Sequence, residues 1–526
     1  MMTDIPAHFA TGWRAAIASR FAIVVALLAL ALIGRSLWHL QAGTDGLTVV
    51  EARVGNIPVT VFEPAGGGPA PTVIVAHGFA GSQQLMQPYA LTLARNGYRA
   101  VTFDFPGHGQ NPDLFVARIE DEARRVRILL GALESVVQYA TARPGGDGRV
   151  GLLGHSMAGD VLLRYAAAHR DQVPATVLLS PYIGPDARTA EPRDLLFVFG
   201  ALEPQMLHQV GRDAIAKSTG SEVEPGTVYG RMADGSARSM VLVDGAEHIG
   251  ILYGAGGLQA ALDWLNQAFD RRGDGYLEIR GAWLGWLYLG ILLLAWPLSR
   301  LLPRAATAPL GAALPWRRLW PAALAPAILT PLILRFLPSD YLPILLGDYL
   351  ALHFGIYGAI AFVAGVIARR GQAPRLPGRV LWSGLAVAAL AAGVYATLAI
   401  ALPTDRFVTS FFPSPERLWL LLAILPGTLA YFAADGWLVR GPGAARGGGA
   451  FTKLLFLLSL LLAVALNLSQ LFFLIIIVPA ILAFFLIYGL LGWWTYRRTW
   501  NPLVGAIANG LAFAWAIAAT FPVVGE

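Results

Sequence analysis

The sequence predicts a two-part chain: a doubly wound, mostly parallel α/β sheet followed by an all-α bundle of membrane spans. Three observations predict it. Short apolar, β-prone runs alternate with helical patterns between about residues 47 and 269. From Gly281 the composition changes and long apolar runs recur to the end. Between the two patterns' first members sits one small-residue turn carrying a serine, Gly154-His155-Ser156-Met157-Ala158-Gly159, between an apolar run and a helical pattern.

The whole composition agrees. Of 526 residues, 56% are hydrophobic and only 14% charged, with a mean hydropathy of +0.56, which places the chain among membrane proteins. The net charge of +6 does not point to nucleic acid, because the basic residues lie largely between apolar runs. There is no cysteine, which excludes disulfides, a thiol nucleophile and cysteine metal sites.

In chain order, residues 1–20 carry Arg14 and Arg20, and 21–33 is a continuous apolar run. A signal peptide would need a small-residue cleavage site close behind it, and Leu40-Gln41-Ala42 is a poor one. Residues 1–40 therefore read as a tail and an uncleaved anchor. Strands are expected at 47–54 and 57–62, joined by a tight Gly55-Asn56 turn, and at 72–76, 98–103, 149–153, 175–180, 194–199 and 240–243. Helices are expected at 87–96, 114–142, 160–169, 207–217 and 257–269. These elements form a domain over 45–270. The segment 181–193 has no room for a lid, and the longer insertion, 203–238, comes one connection later.

Residues 271–280 form a charged linker, and 281–526 is the membrane domain of about eight helices. Its apolar runs lie at about 281–299, 319–336, 346–368, 380–402, 417–438, 454–470, 471–492 and 503–522, making nine spans with the anchor. Each approaches the ~20 residues that cross the hydrocarbon core. Arg300, Arg304, Arg317, Arg318, Arg369, Arg370, Arg375, Arg379, Arg440, Arg446, Lys453, Arg497 and Arg498 alternate onto the side of Arg14 and Arg20; the other side offers little beyond Arg406 and Arg417. By the positive-inside rule the N-terminus is cytoplasmic. The α/β domain and the C-terminus then face outward, into the periplasm of a bacterium. Inside the spans His353 lies deep and Asn509 at mid-span, while Arg335, Asp348 and Asp435 lie near span ends. That is poor equipment for an ion-coupled transporter.

The serine turn has the strand–turn–helix context of a nucleophile elbow. The small Gly154, Ala158 and Gly159 let strand and helix approach, and the helix N-terminus offers N–H groups to a developing oxyanion. Three further motifs follow strands in a recognisable order: His77-Gly78-Phe79, Asp104-Phe105-Pro106-Gly107-His108-Gly109 and Gly245-Ala246-Glu247-His248. With them, the segment from about 47 to 269 resembles an α/β-hydrolase of the serine esterase or lipase kind. The membrane half resembles no family in particular.

The resemblance implies a triad of Ser156 as nucleophile, His248 as base and Glu203 as its orienting acid, with Asp186 as the alternative acid. It also implies an oxyanion hole from the backbone N–H groups of Phe79 and Met157. His77, His108 and His155 read as structural histidines at strand ends. No cofactor and no metal are expected. The expected function is cleavage of a carboxylic ester or thioester of an amphipathic or lipid-like substrate at the outer face, with the bilayer as partner. Alternatives are a transport or scaffold protein with a ligand-binding hydrolase-like module, and a peptidase or acyltransferase using the same triad. Homo-oligomerisation through the spans stays open.

Overall fold

The computed structural model describes residues 7–66, 68–117, 121–146, 148–272, 275–372 and 378–525. The side chains of 7–19 and 189 lie outside that description, and so do the charge at Arg375 and part of the expected linker, 273–274.

Helix α1 (Ala7–Ala42) leads into a hairpin of β1 (Leu47–Val54) and β2 (Ile57–Pro64), antiparallel about Gly55-Asn56. The other strands are β3 (Thr72–Ala76), β4 (Arg99–Phe103), β5 (Phe115–Val116), β6 (Val150–His155), β7 (Thr176–Leu179), β8 (Leu195–Gly200), β9 (Val228–Tyr229), β10 (Arg238–Val243) and β11 (Val524–Gly525). Nine of them form one sheet in the order β1-β2-β4-β3-β6-β7-β8-β10-β9. It is parallel from β4 through β10, with antiparallel pairs at the β1, β2 and β9 edges. The central strands β3, β4, β6, β7 and β8 are buried along their whole length, which is why they read as unbroken apolar runs rather than alternating ones.

Helices cover both faces. The apolar sides of α3 (Glu122–Thr141) and α4 (Ala158–Ala168) build one core, with Leu133, Val136 and Leu162. Those of α2 (Gln87–Arg95) and α6 (Ala255–Ala268) build the other, with Leu91, Leu262 and Leu265. Helix α5 (Gln205–Thr219) lies in the insertion after β8.

One expectation fails here. The helix expected over 114–142 starts only at Glu122, where the Asp121 carboxylate caps it by accepting the Arg124 N–H at 3.0 Å. Residues 115–116 are instead a strand, parallel to 524–525 at the far end of the chain. A partner more than 400 residues away is invisible to local patterning.

The second half is helical: α7 (Gly281–Ser299), α8 (Trp316–Leu334), α9 (Gly347–Arg369), α10 (Trp382–Phe407), α11 (Leu418–Leu438), α12 (Gly448–Leu466), the short α13 (Leu468–Leu471), α14 (Leu474–Thr499) and α15 (Pro502–Thr520). Among the described residues eight helices are long and apolar enough to cross a membrane, one of them Arg20–Ala42 within α1. The ninth expected span, 319–336, does form helix α8. Two arginines and three prolines dilute its apolar content, and it is not one of the eight. Helix α15 runs through the middle of the bundle, and Phe354, Tyr431, Phe456, Phe485 and Phe513 form an aromatic core around it. Helix α1 packs closely on α7: a Cβ at Gly290 would meet Ile33 at 2.9 Å and the Ala29 carbonyl at 3.0 Å. Of the polar groups expected in the bundle, Asp435 pairs with Lys453, and His353 Nε2 lies 3.1 Å from Ser459 Oγ.

Candidate active site

The functional side chains all come from the carboxyl ends of parallel strands, where open α/β sheets place their sites. His77, Gly78 and Phe79 follow β3; Ser156 follows β6; Glu203 follows β8; His248 follows β10. In the sheet β3 lies beside β6 and β8 beside β10, with β7 alone between the two pairs.

Ser156 sits at φ +52°, a left-handed conformation that a serine adopts only under constraint. The constraint is visible. Its N–H donates to the Leu179 carbonyl at 2.9 Å, and its own carbonyl accepts from Gly159 and Tyr182, each at 2.9 Å. The following helix crosses so near that a Cβ at Gly154 would come within 2.4 Å of Leu162. The sharp bend therefore needs glycine there.

His248 Nε2 lies 3.0 Å from Ser156 Oγ, and its Nδ1 lies 2.7 Å from Glu203 Oε1. With Nδ1–H donated to the carboxylate, Nε2 presents its lone pair to the serine hydroxyl. Glu203 accepts two more bonds at Oε2, from Ser180 Oγ at 2.6 Å and the Gly200 N–H at 2.9 Å. Burial alone would raise its pKa, but the bonds from His248, Ser180 and Gly200 outweigh that and hold it below the usual glutamate value. The carboxylate thus stays ionised where it can orient and stabilise an imidazolium. Glu203, rather than the alternative Asp186, is the acid that meets His248.

His155 is buried, and its Nε2–H donates to the His248 carbonyl at 2.9 Å. Burial, reinforced by neighbouring His248, pushes its pKa well down, so it stays neutral beside the base. His77 is lowered to about 4 by burial. It accepts the Phe105 N–H at Nε2 (3.0 Å) and donates Nδ1–H to the Gly78 carbonyl (2.7 Å), tying the loop after β3 to the loop after β4.

A Cβ at Gly78 would touch the Ser156 Cβ at 2.9 Å, so the loop after β3 runs directly against the serine. Among the described residues the N–H groups of Phe79, next in chain to that Gly78, and of Met157, next to Ser156, donate to no protein acceptor. The surrounding groups hold no cluster of three or more His, Asp or Glu fit for a metal among the described residues.

Comparison with known proteins finds a hydrolase match over part of the segment. Residues 67–222 match the hydrolase family described as Serine aminopeptidase, S33. The segment is an α/β-hydrolase domain. Over 131 residues the chain is 30% identical to the protein named "Putative carbamate hydrolase RutD" of Variovorax paradoxus (strain S110). That match covers 24% of this chain and 45% of the relative, less than half its length. Similar solved structures include a dienelactone hydrolase of Anabaena variabilis ATCC 29413 (19% identity, 44% of this chain and 98% of that one, TM-score 0.31). Another is an enol-lactonase of Burkholderia xenovorans LB400 (13% identity, 41% and 100%, TM-score 0.31).

Several residues of the site were not singled out by the sequence. Ser180 is a second support of Glu203. Others come from the helical half. Ser82, in the loop after β3, bonds Thr409 Oγ1 at 3.0 Å and accepts the Ser410 N–H at 2.7 Å. Gln110 donates to Ser410 Oγ at 2.9 Å and the Phe412 carbonyl at 2.8 Å. The buried Arg417 guanidinium donates to the carbonyls of Gly107 (2.6 Å), Ala519 (3.1 Å) and Phe521 (2.8 Å). Phe79 packs on Phe473 with the rings tilted and their centroids 4.9 Å apart. No local signal marks these partners. Arg417 alone stood out, as one of two arginines on the arginine-poor side.

Proposed function

We propose that the chain is a membrane-embedded serine hydrolase that cleaves a carboxylic ester or thioester of an amphipathic or lipid-like substrate at the outer, periplasmic face. The observation that carries it is the continuous Glu203–His248–Ser156 hydrogen-bond chain beside two unengaged backbone N–H groups. Ser156 Oγ attacks the carbonyl carbon as its proton passes to His248 Nε2. The oxyanion binds the N–H groups of Phe79 and Met157. The bond to the leaving group breaks and His248 returns the proton to that group. Water, deprotonated by His248, then attacks the acyl-serine, and Ser156 leaves with the proton. Glu203 holds the imidazole in the tautomer this sequence needs.

The bilayer enters through the eight apolar helices. The hydrolase domain meets one end of the bundle, at 405–412, Phe473 and 521–525. Loops at the other end carry most of the arginines, which supports an outward-facing site. The description of the matched family favours one second reading, a peptidase built on the same three residues.

The test is labelling of purified, detergent-solubilised protein with a fluorophosphonate probe. Wild type labels, and Ser156→Ala and His248→Ala do not. Well-folded wild type that fails to label, or a Ser156→Ala variant that still labels, overturns the proposal. Unlabelled wild type from the same preparation is then offered fatty-acyl esters and aminoacyl amides, and turnover of the amides alone selects the peptidase reading.

A further inference from the structure

The reaction's own geometry assigns sides to the substrate. His248 must return its proton to the leaving group, so that group lies on the side of His248 and its exposed neighbour Ile249. The acyl arm is then directed away from the base, past the donor of the oxyanion on the other flank of Ser156. That donor is Phe79. Its side chain is half-buried and packs at once against the core of the hydrolase domain and the core of the helical bundle. The ring it meets in the bundle is Phe473, at 4.9 Å and 36° between planes, and Phe473 is itself only half-buried. On its other flank Phe79 meets His108 edge-on at 6.0 Å.

The accessible surface beyond Phe473 is uncharged, with exposed Ser469 and Gln470 among its apolar residues. Phe473 lies in the break between α13 and α14, and Leu468 and Ile475 around it are exposed. An acyl chain leaving the carbonyl along Phe79 therefore passes from the hydrolase domain onto the helical bundle without crossing a charge on the residues named.

We propose that Phe473 is a specificity-determining residue: it extends the Phe79 wall of the acyl site into the helical bundle and selects long, apolar acyl chains. This rests on the serine-hydrolase reading. It assigns one residue of the membrane half a direct part in substrate choice.

The test uses the full chain in detergent and two p-nitrophenyl esters, the acetate and the decanoate. Their leaving group is the same, so only the acyl arm varies. Phe473→Ala is expected to lower kcat/KM for the decanoate about tenfold, the usual value of a lost apolar contact in a pocket. The loss on the acetate is expected to stay under about twofold. Fluorophosphonate labelling of Ser156 checks that the site is intact. If the alanine variant no longer labels, Phe473→Leu carries the decision, with about a threefold loss expected on the decanoate alone.

Equal loss on both esters overturns the inference, since Phe473 would then only prop the oxyanion loop. No loss on either overturns it too. Wild type that labels but prefers the acetate leaves the serine hydrolase standing and removes the acyl site. Wild type that neither labels nor turns over either ester removes both.

Discussion

Two loops flank Ser156, and they are held in different ways. The base loop is held within the hydrolase domain: His248 is bonded by Glu203, Ser156 and, through its carbonyl, His155. Its neighbour Ala246 accepts the Leu202 N–H at 3.0 Å, linking it to the turn that carries Glu203. The loop after β3 is held from both halves. His77 ties it to the hydrolase domain, whereas Ser82 and Phe79 tie it to Thr409, Ser410 and Phe473 of the helical bundle. On the proposed function, proton transfer is thus built on one domain and oxyanion binding on the contact between two, and the reactivity of the serine is coupled to the packing of the helical bundle.

The two loops can be separated by experiment. The largest effect is expected at their shared centre. Ser156→Ala should lower ester turnover on the order of 10⁴-fold or more, measured as the initial rate of the purified protein, because both loops then serve no nucleophile. Next comes the base side alone. Glu203→Gln should lower kcat about 10³-fold with little change in the melting temperature, since the imidazole loses the carboxylate that fixes its tautomer.

The oxyanion side should respond differently, losing stability together with activity. Arg417→Met removes the guanidinium bonds to the Gly107, Ala519 and Phe521 carbonyls, of which Gly107 keeps the Val523 N–H. The cost of those buried acceptors is about 3 kcal/mol, seen as a lower thermal midpoint, with about a tenfold slower turnover. If Arg417→Met left the midpoint unchanged, the contact between halves would not carry this loop.

Asp104 offers a pH readout of the same side. Its carboxylate accepts the Gln83 N–H at 2.7 Å and the Gln110 N–H at 3.0 Å. Burial raises its pKa from 3.8 to about 6, against the lowering effect of those bonds and of Arg417. A raised folded pKa gives a contribution fully present below pH 3.8 and lost as pH rises through about 6. Asp104→Asn does not titrate. Relative to wild type it should therefore gain on the order of 3 kcal/mol from about pH 4 to pH 7, read from denaturation at each pH. A difference that is flat with pH would count against the burial argument. The smallest effect is expected from Ser82→Ala, about 1 kcal/mol of stability, as it removes the bonds to Thr409 and Ser410 from an otherwise intact interface.

Much of this site was legible in the sequence. Strand ends are announced by apolar runs meeting Gly, His and Ser, and the four loops keep their chain order. Ser156, His248 and Glu203 could be named without coordinates, and the structure brings them within hydrogen-bond reach. Helix 114–142 could not be bounded correctly, because residues 115–116 are claimed by a strand from the far end of the chain. The span count could not be settled by run length alone, because Arg317, Arg318 and three prolines sit within α8.

By itself, then, the sequence determined the α/β-hydrolase domain, the run of apolar helices behind it and the serine and histidine of the chain, with Glu203 and Asp186 as the two candidate acids. These follow from periodicity and from motifs of a few adjacent residues, which are local properties. Only the tertiary structure decided that Glu203 rather than Asp186 meets His248, that Ser180 supports it, and that Phe473, Ser410 and Arg417 reach the oxyanion side. Such partners lie 23 to more than 300 residues from what they touch. Their choice depends on which strand ends and helix ends are packed together, and no local pattern records that.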